Sequence, residues 1–227
     1  ISREHTNFIL LEKGGETLFR EEGTNNVEAD TDDDIKLNLA LVYEFATTAP
    51  LDEIRFMLEA RRLNKAAAEE ALSRDYGHGL GATIRQYGKR PFGDSPLEHM
   101  IFYTSAACDA RMGGATIPVM SNSGSGNQGI TATMPVVSFA EDIDASDDDL
   151  TRALTLSHLI SIYIKQSLGR LSALCGCVVA STGASGGLVY LMGGGFDETC
   201  ATIKNMVDNL TGMICDGAKP SCAMKIS

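Results

Sequence analysis

The sequence predicts a mainly α-helical protein with a small β-hairpin portion at its N-terminal end. Apolar residues recur at helical spacing in most segments after Asp34, and capping residues or prolines mark several of their ends. An extended pattern flanks Gly14-Gly15 near the start. We therefore interpret residues 1–30 as the remnant of a small α/β region that contains the hairpin, and residues 31–227 as one helical domain.

The hairpin prediction rests on two extended runs, Phe8–Leu11 and Glu16–Phe19, because the glycine pair between them permits the positive φ angles of a tight turn. Helices are predicted, in order, over residues 34–49, 51–62, 65–76, 96–111, 130–141, 148–168, 172–192 and 197–212. Pro50 ends the first helix, and Ser95-Pro96 begins the fourth with a cap followed by proline.

The segments between these helices have their own signals. Residues 76–96 are rich in glycine and polar residues and are expected to form loop with short helical pieces, whereas residues 115–120 are expected to be extended. Residues 172–192 are small and apolar, which suits a buried helix whose neighbours approach closely. Ser185 in this segment lies within a G-x-S-x-G pattern, but a nucleophilic serine of that type requires a strand–turn–helix context.

Composition and charge exclude several classes of function. The chain of 227 residues has a formal net charge of −11, which would repel nucleic acids and anionic membranes. It contains neither an apolar run of about 18 residues nor a secretory pattern, so we expect a soluble, cytoplasmic protein without membrane contact. The six cysteines then indicate reduced thiols, a metal site or a cluster rather than a disulfide scaffold.

Both ends of the chain indicate a fragment. The first residue is Ile1 rather than methionine, and Ser227 directly follows an apolar-polar run. We therefore expect a piece of a longer polypeptide, in which a catalytic group could lie outside these residues.

The segment Ser121–Gly129 has the most unusual composition in the chain. It contains the G-x-G-x-x-G pattern of dinucleotide sites, but Pro118, Pro135 and the lack of a second strand argue against that fold. Accessible backbone N–H groups and Ser and Asn side chains at a helix start would instead suit a small anion such as a carboxylate. A well-capped turn without a ligand remains the structural alternative.

Four of the cysteines form two close pairs. Cys175 and Cys177 form C-x-C, and six residues of a small or polar turn separate Cys215 from Cys222. These spacings match neither zinc motifs nor ferredoxin motifs, so metal ligands and buried thiols both remain open. Cys108 and Cys200 are predicted to be core residues of helices. The histidines are scattered, and His158 is interpreted as either a core residue or a polar partner inside the site.

Three sequence blocks carry a resemblance to a known family. They are SNSGSGNQGI at 121–130, LSALCGC at 171–177 and KNMVDNLTGMICDGAKPSCAMK at 204–225, and the opening His5-Thr-Asn7 is also similar. Over essentially its full length the chain resembles the cysteine desulfidase branch of the iron–sulfur L-serine dehydratase α-chain family, whose members are longer at both ends.

The resemblance implies a 4Fe-4S cluster held by Cys175, Cys215 and Cys222, with Cys177 as a substitute for Cys175. Three thiolates would leave one iron open as a Lewis acid. The implied reaction is an α,β-elimination of L-cysteine or L-serine to pyruvate and ammonia, with sulfide or water as co-product and without pyridoxal phosphate.

The remaining implications concern the substrate and the base. The substrate carboxylate would lie in the glycine-rich loop, where the expected binding residues are Ser121, Asn122, Ser123, Gly124 and Asn127. No base is assigned, because the candidate cysteine of such proteins belongs to an N-terminal segment absent here. Lys219 could offset the charge of the cluster or be a solvated loop residue.

The expected partner is a small amino-acid substrate, and a homodimer is one option left open for the assembly. The alternative function is a non-catalytic protein that binds a small carboxylate or amino acid on the same fold.

Overall fold

The structure, a computed structural model, describes residues 9–20, 35–169, 172–210, 212–215 and 217–227, apart from the side chains at positions 89 and 90. In this part of the chain the prediction of a mainly helical fold with a small β-hairpin near the N-terminal end is confirmed. None of the helices it describes is both long and apolar enough to cross a lipid bilayer. The proposed division at residue 30 falls outside the described residues and stays a prediction.

The strands are β1 (Leu10–Lys13) and β2 (Glu16–Arg20). The helices are α1 (Leu39–Thr48), α2 (Leu51–Ile54), α3 (Leu58–Ser73), α4 (Leu80–Tyr87), α5 (Lys89–Phe92), α6 (Pro96–Met112), α7 (Gly126–Asp142), α8 (Asp147–Leu168), α9 (Gly176–Leu191), α10 (Phe196–Leu210) and α11 (Cys222–Ile226). A short 3₁₀ turn, Arg55–Met57, joins α2 to α3.

The hairpin forms around Gly14-Gly15 as predicted, but its first strand is Leu10–Lys13 rather than Phe8–Leu11. β1 and β2 pair antiparallel from Leu10 opposite Arg20 to Lys13 opposite Glu16. Gly14 and Gly15 have φ angles of 60° and 87°, which a two-residue turn of this kind requires at both central positions. Every residue of both strands is exposed. Phe8, which the prediction included, lies outside the described residues.

Helix α7 lies at the centre of the fold and packs against α3, α6, α8 and α9. On one side Ile130 and Met134 pack against buried alanines of α3 and α6, and on the other Val136 and Val137 pack against apolar residues of α8. Thr133 is also buried, and its hydroxyl donates to the carbonyl oxygen of Gly129 at 2.7 Å, which satisfies a polar group inside the core.

Helices α8 and α9 approach closely because glycines line their contact. A methyl group at Gly183 would lie 2.4 Å from the carbonyl oxygen of Ser157, and one at Gly187 would lie 2.7 Å from that of Ala153. The small-residue segment is therefore a buried helix, as its composition predicts. Ser185 lies in the middle of α9, where its hydroxyl donates to the carbonyl oxygen of Thr182 at 2.7 Å.

Several boundaries differ from the sequence prediction. Helix α1 begins at Leu39 rather than at residue 34, and α9 begins at Gly176 rather than at residue 172. Helix α7 begins at Gly126 rather than at residue 130, because the side chain of Ser125 caps it by accepting from the N–H of Gln128. The helices expected over 51–62 and 65–76 meet in α3 after the 3₁₀ turn. Residues 115–120 lie outside every helix, which agrees with the expected extended piece, and they pair with no described strand. Local pairing and capping, rather than periodicity, decided these boundaries.

Candidate functional site

Cys175 and Cys215 lie on two extended segments that pair directly. The N–H of Cys175 donates to the carbonyl oxygen of Met213 at 3.0 Å, and the N–H of Cys215 donates to that of Ala173 at 2.8 Å. These bonds enclose an isolated antiparallel bridge between Leu174 and Ile214. Because neighbours along an extended chain point to opposite faces, the two cysteines share one face of the bridge. The pairing joins residues that are 40 positions apart in the sequence.

The environment of Cys175 favours the thiolate form. The residue caps the start of α9, and the pKa of its thiol is lowered to about 5. The main cause is a hydrogen bond from the thiol of Cys177; backbone N–H groups of Cys177 and Val178 and the positive charge of Lys225 add to it. Since the thiolate is the form that binds metals, Cys175 has the properties of a ligand.

Cys177 has the opposite character. It is buried, and the hydrogen bond to Cys175 together with burial raises the pKa of its thiol far above the ordinary value. The two thiols therefore compete for one proton, and the backbone N–H groups at the start of α9 favour the charge on Cys175. Cys175 as the ligand, with Cys177 as its substitute, stays a prediction.

Cys222, at the start of α11, lies close to the same cysteines. It is buried and packs in one cluster with Cys108 and Ala223, while the charges of Cys108 and Cys222 both raise the pKa of Cys177. Burial, more than these neighbours, raises the pKa of Cys108 to about 12, so Cys108 is a buried thiol as expected. The N-terminal end of α9, the segment of Cys215 and α11 thus bring their cysteines to one region.

The glycine-rich loop forms a tight turn followed directly by a helix. Asn122 and Ser125 exchange two backbone hydrogen bonds of 3.1 and 2.9 Å, and the residues between them, Ser123 and Gly124, have φ angles of 47° and 79°. The turn places Ser125 at the cap of α7. Gly126 and Asn127 are buried, and no described group accepts from their backbone N–H groups. The positive end of α7 therefore favours an anion here.

A buried hydrogen-bond network beneath the turn fixes its shape. The side-chain amide of Asn122 donates to Nδ1 of His158 at 3.1 Å and to its carbonyl oxygen at 3.2 Å. The side-chain oxygen of Asn122 accepts from the Ser123 hydroxyl and from Nε2 of Gln128. All four hydrogen-bonding positions of Asn122 are therefore used within the protein. Its predicted role as a substrate donor stays a prediction, and in this structure it supports the loop.

The ring of His158 continues this network into the core. Nε2 lies 3.0 Å from Oγ1 of Thr133, whose hydroxyl donates onward to the carbonyl oxygen of Gly129. Nδ1 accepts from Asn122, so Nε2 carries the hydrogen. Burial lowers the pKa of His158 to about 4, which keeps the ring neutral. Of the two interpretations left open for His158, the polar partner fits this geometry.

Arg111 supplies a cation beside the loop. Its Nη1 donates to Oδ1 of Asn127 at 3.0 Å, and a methyl group at Gly126 would lie 2.2 Å from its Nε. The guanidinium thus lies against the first turn of α7, and Asn127, itself buried, holds it there. Ser121, Ser123 and Gly124 are exposed. A carboxylate at this surface would meet both Arg111 and the helix N-terminus.

The loop and the cysteines occupy the same end of the fold. A methyl group at Gly176, the residue after Cys175, would lie 2.8 Å from Oε1 of Gln128 in the first turn of α7. The loop predicted to bind an anion and the residue with the most thiolate character are therefore neighbours. This proximity is the condition that joint substrate and cluster binding requires.

Several residues of this site belong to no sequence motif that would mark them as functional. Arg111 ends α6 and Lys225 lies in α11, and both reach the site only through tertiary packing. Asn64 of α3 is also buried here and ties the loop to α7: it accepts from the N–H of Met120 at 2.8 Å and donates to the carbonyl oxygen of Gly129 at 3.2 Å. Lys219 is exposed, and its two interpretations stay predictions; Lys225 is a cation that acts on Cys175.

A groove of about 880 Å³ lies elsewhere, between α3 and the end of α7. Its basic side chains Arg55, Arg61, Arg62 and Lys65 are each bound to a carboxylate. The groove contains none of the cysteines. The chemistry of the side chains, rather than the size of a cavity, therefore identifies the candidate site.

Comparisons with known proteins find relatives along the whole chain. The chain is 58% identical over 228 residues to a UPF0597 protein of Bacteroides fragilis. This match covers 100% of the chain and 53% of the relative. It is 59% identical over 230 residues to a UPF0597 protein of Parabacteroides distasonis, a match that covers 100% of the chain and 54% of that relative. It is 48% identical over 228 residues to a UPF0597 protein of Chromobacterium violaceum, a match that covers 100% of the chain and 53% of that relative.

The chain thus spans about half the length of the curated relatives it matches. No solved structure matches it. The family model described as "serine dehydratase alpha chain" matches residues 15–227, which include the glycine-rich loop and all six cysteines. The chain therefore belongs to the serine dehydratase alpha chain family.

Proposed function

We propose that this chain forms the catalytic part of an iron–sulfur-dependent lyase that eliminates the β-substituent of L-cysteine or L-serine. Membership of the serine dehydratase alpha chain family supports an amino-acid lyase. The observation that carries the finer proposal is the meeting of three cysteine-bearing segments beside an anion-binding helix N-terminus.

The cysteines fit a 4Fe-4S cluster as a donor set. Cys175 has a low pKa, Cys215 shares one face of a backbone bridge with it, and Cys222 approaches from α11. Cys177 would support the set by donating to Cys175 rather than by binding iron. When bound, a cluster with three cysteine ligands supplies one open iron as a Lewis acid for the leaving group.

The substrate carboxylate would bind where α7 begins. The N–H groups of Gly126 and Asn127 and the guanidinium of Arg111 together offer charge-assisted hydrogen bonds. The exposed turn at Ser123 and Gly124 would cover one side of the amino acid, and the network of Asn122 would keep the turn rigid. This arrangement would orient the β-carbon toward the cysteines across Gly176.

In the elimination itself, a base takes the α-proton, the electron pair of that bond forms the Cα–Cβ double bond, and the Cβ–S or Cβ–O bond breaks. The aminoacrylate product tautomerises to an imine, which adds water and releases ammonia to give pyruvate. We assign no base among the described residues, and we keep the proposal that it belongs to a part of the protein outside this chain.

The test compares two cysteine variants of the full-length protein, which includes the part outside this chain, after reconstitution with iron and sulfide under anaerobic conditions. The wild type is expected to bind four irons per chain and to release pyruvate from L-cysteine or L-serine. Cys215→Ser is expected to lose both properties. Cys200→Ser serves as the matched control, because Cys200 lies in α10 and should leave both unchanged.

If Cys215→Ser retained both iron and pyruvate release, the proposal would be wrong. Binding of the amino acid by protein with alkylated cysteines, without turnover by the reconstituted wild type, would support the non-catalytic binding protein instead. Paired assays with L-cysteine and L-serine assign the substrate, since the structure favours neither leaving group.

A further inference from the structure

A second group of chemically active side chains lies at the start of α6, apart from the cysteines. One ligand atom each from Asp94, Glu98 and His99 lies within 4.8 Å of the other two. Glu98 and His99 belong to the first turns of α6, and Asp94 precedes the helix cap Ser95. Two carboxylates and an imidazole suit divalent ions of the first transition row.

The carboxylate of Glu98 provides an independent indication of a bound cation. Glu98 is 1% exposed, and neither of its carboxylate oxygens has a hydrogen-bond partner among the described residues. A glutamate three residues after a serine cap commonly bonds the backbone N–H of that cap, but Glu98 does not. Since buried carboxylates are normally paired or bound to metal ions, this side chain points to a cation as its partner.

Both ring nitrogens of His99 lie beside carboxylates, and one of the two contacts is of the kind that metal-binding histidines make. Its Nδ1 lies 2.7 Å from Oδ1 of Asp142, the last residue of α7, and its Nε2 lies 3.2 Å from Oδ1 of Asp94. Metal-binding histidines commonly donate one ring N–H to a carboxylate, which orients the other nitrogen toward the ion. Asp142 would hold His99 in this way, and a bound ion would take the place of the hydrogen bond between Nε2 and Asp94.

The geometry points to a binding site for one divalent cation of the manganese or zinc class, with Asp94, Glu98 and His99 as ligands and Asp142 as the residue that positions His99. Glu98 precedes Cys108 by ten residues on α6, which is about 15 Å along the helix. The site is therefore separate from the cysteines and does not depend on the proposed lyase function.

The position of the site gives the ion a structural role. His99 at the start of α6 meets Asp142 at the end of α7, whereas Arg111 at the end of α6 meets Asn127 at the start of α7. The two helices are thus antiparallel, and the ion would fix one end of the pair whose other end forms the glycine-rich loop. It would act on that loop by holding α6 and α7 in register.

Manganese is the probe of choice, because hard ions favour carboxylates over the thiolates of the cysteine site. Loss of the electron paramagnetic resonance signal of free Mn²⁺ during a titration measures binding. The wild type is expected to bind one ion per chain. Glu98→Gln and His99→Gln should each weaken binding at least 100-fold, and Asp142→Asn should weaken it about 10- to 100-fold.

Two controls separate this site from others. Asp52→Asn removes an exposed carboxylate from α2 and should leave binding unchanged, as should Cys175→Ser. The proposal is overturned if the wild type takes up no Mn²⁺ at millimolar concentration, or if folded Glu98→Gln binds as the wild type does. Should Glu98→Gln fail to fold, undiminished binding by Asp142→Asn and His99→Gln would overturn it equally.

Discussion

At the scale of single residues, Arg111 gives the clearest evidence that the glycine-rich loop binds a ligand rather than only capping α7. Its guanidinium lies against the first turn of α7 and is held by the side chain of Asn127. A turn that only caps a helix needs no cation at this position, whereas a carboxylate site does. Arg111 therefore supports the proposed carboxylate site more strongly than any residue of the loop itself does.

Arg111→Gln is expected to raise the KM for the amino-acid substrate about tenfold or more, because a hydrogen bond to a charged group contributes about 1.5–3 kcal/mol. Iron content should stay at the wild-type value. Steady-state kinetics of the anaerobic protein measure the effect, with exposed Arg85→Gln as the control. An unchanged KM in folded Arg111→Gln would remove Arg111 from the site.

His158 is the other residue with a testable property of its own. Burial lowers its pKa from 6.5 to about 4, so the unfolded chain takes up a proton before the folded one as pH falls. Stability should therefore decrease between pH 6.5 and 4, by on the order of 3 kcal/mol at 1.36 kcal/mol per pH unit. Above pH 6.5 the ring is neutral in both states and adds no pH dependence.

Urea unfolding at a series of pH values checks this prediction. His158→Gln should lose most of the decrease between pH 6.5 and 4, whereas His78→Gln, which removes an exposed histidine, should retain it. Equal slopes for the wild type and His158→Gln would mean that the buried ring does not control the acid stability of the fold.

At the scale of elements, the contact between α8 and α9 depends on glycine. Gly183 faces the backbone of α8, and a methyl group there would lie 2.1 Å from Oγ of Ser161 and 2.4 Å from the carbonyl oxygen of Ser157. The hydroxyl can rotate away, but the carbonyl belongs to a buried helix and cannot. This contact sets how closely α9 packs against α8, and Cys175 lies at the N-cap position of α9.

Gly183→Ala is expected to destabilise the protein by about 1–3 kcal/mol, the usual range for overpacking. The gain in helix propensity, about 1 kcal/mol, is smaller than the clash with backbone. Urea denaturation measures the change as a lower midpoint at an unchanged slope. Ser185→Ala on the same helix is the control, with an expected change within about 0.5 kcal/mol; a midpoint for Gly183→Ala at or above that of the wild type would contradict the prediction.

At the scale of the whole molecule, the proposed cluster would connect three segments that few other bonds hold together. The segment at Cys215 is tied to Cys175 by two backbone hydrogen bonds, and α11 packs mainly on α6. Cysteine ligands from all three would add covalent links between the start of α9 and the C-terminal residues. Binding to the folded state alone stabilises that state.

Anaerobic reconstitution is therefore expected to raise the Tm, and removal of iron by a chelator should reverse the change. A stabilisation of only about 1 kcal/mol would shift the Tm of a domain of this size by about 2–4 °C. Differential scanning calorimetry in a sealed anaerobic cell measures it. Cys215→Ser should show no shift, and a shift of equal size in that variant would indicate that the cysteines do not hold the group.

The order of helices could be predicted from the sequence because amphipathic spacing, caps and prolines are local signals. Pro50 and Ser95-Pro96 mark helix boundaries that the structure confirms. The start of α7 was placed too late, since nothing in the periodicity shows that Ser125, rather than a later residue, caps the helix. A cap depends on backbone geometry set by the preceding turn, which periodicity does not describe.

The sequence by itself determined the helical fold class, the family resemblance and the cysteines worth testing, because periodicity and residue type are properties of the chain alone. Only the tertiary structure decided that the start of α9 favours a negative charge at Cys175, that Arg111 lies against the first turn of α7, and that Glu98 is buried without a hydrogen-bond partner among the described residues. These properties depend on groups that are distant along the chain, since hydrogen bonds, burial and electrostatic fields act through space.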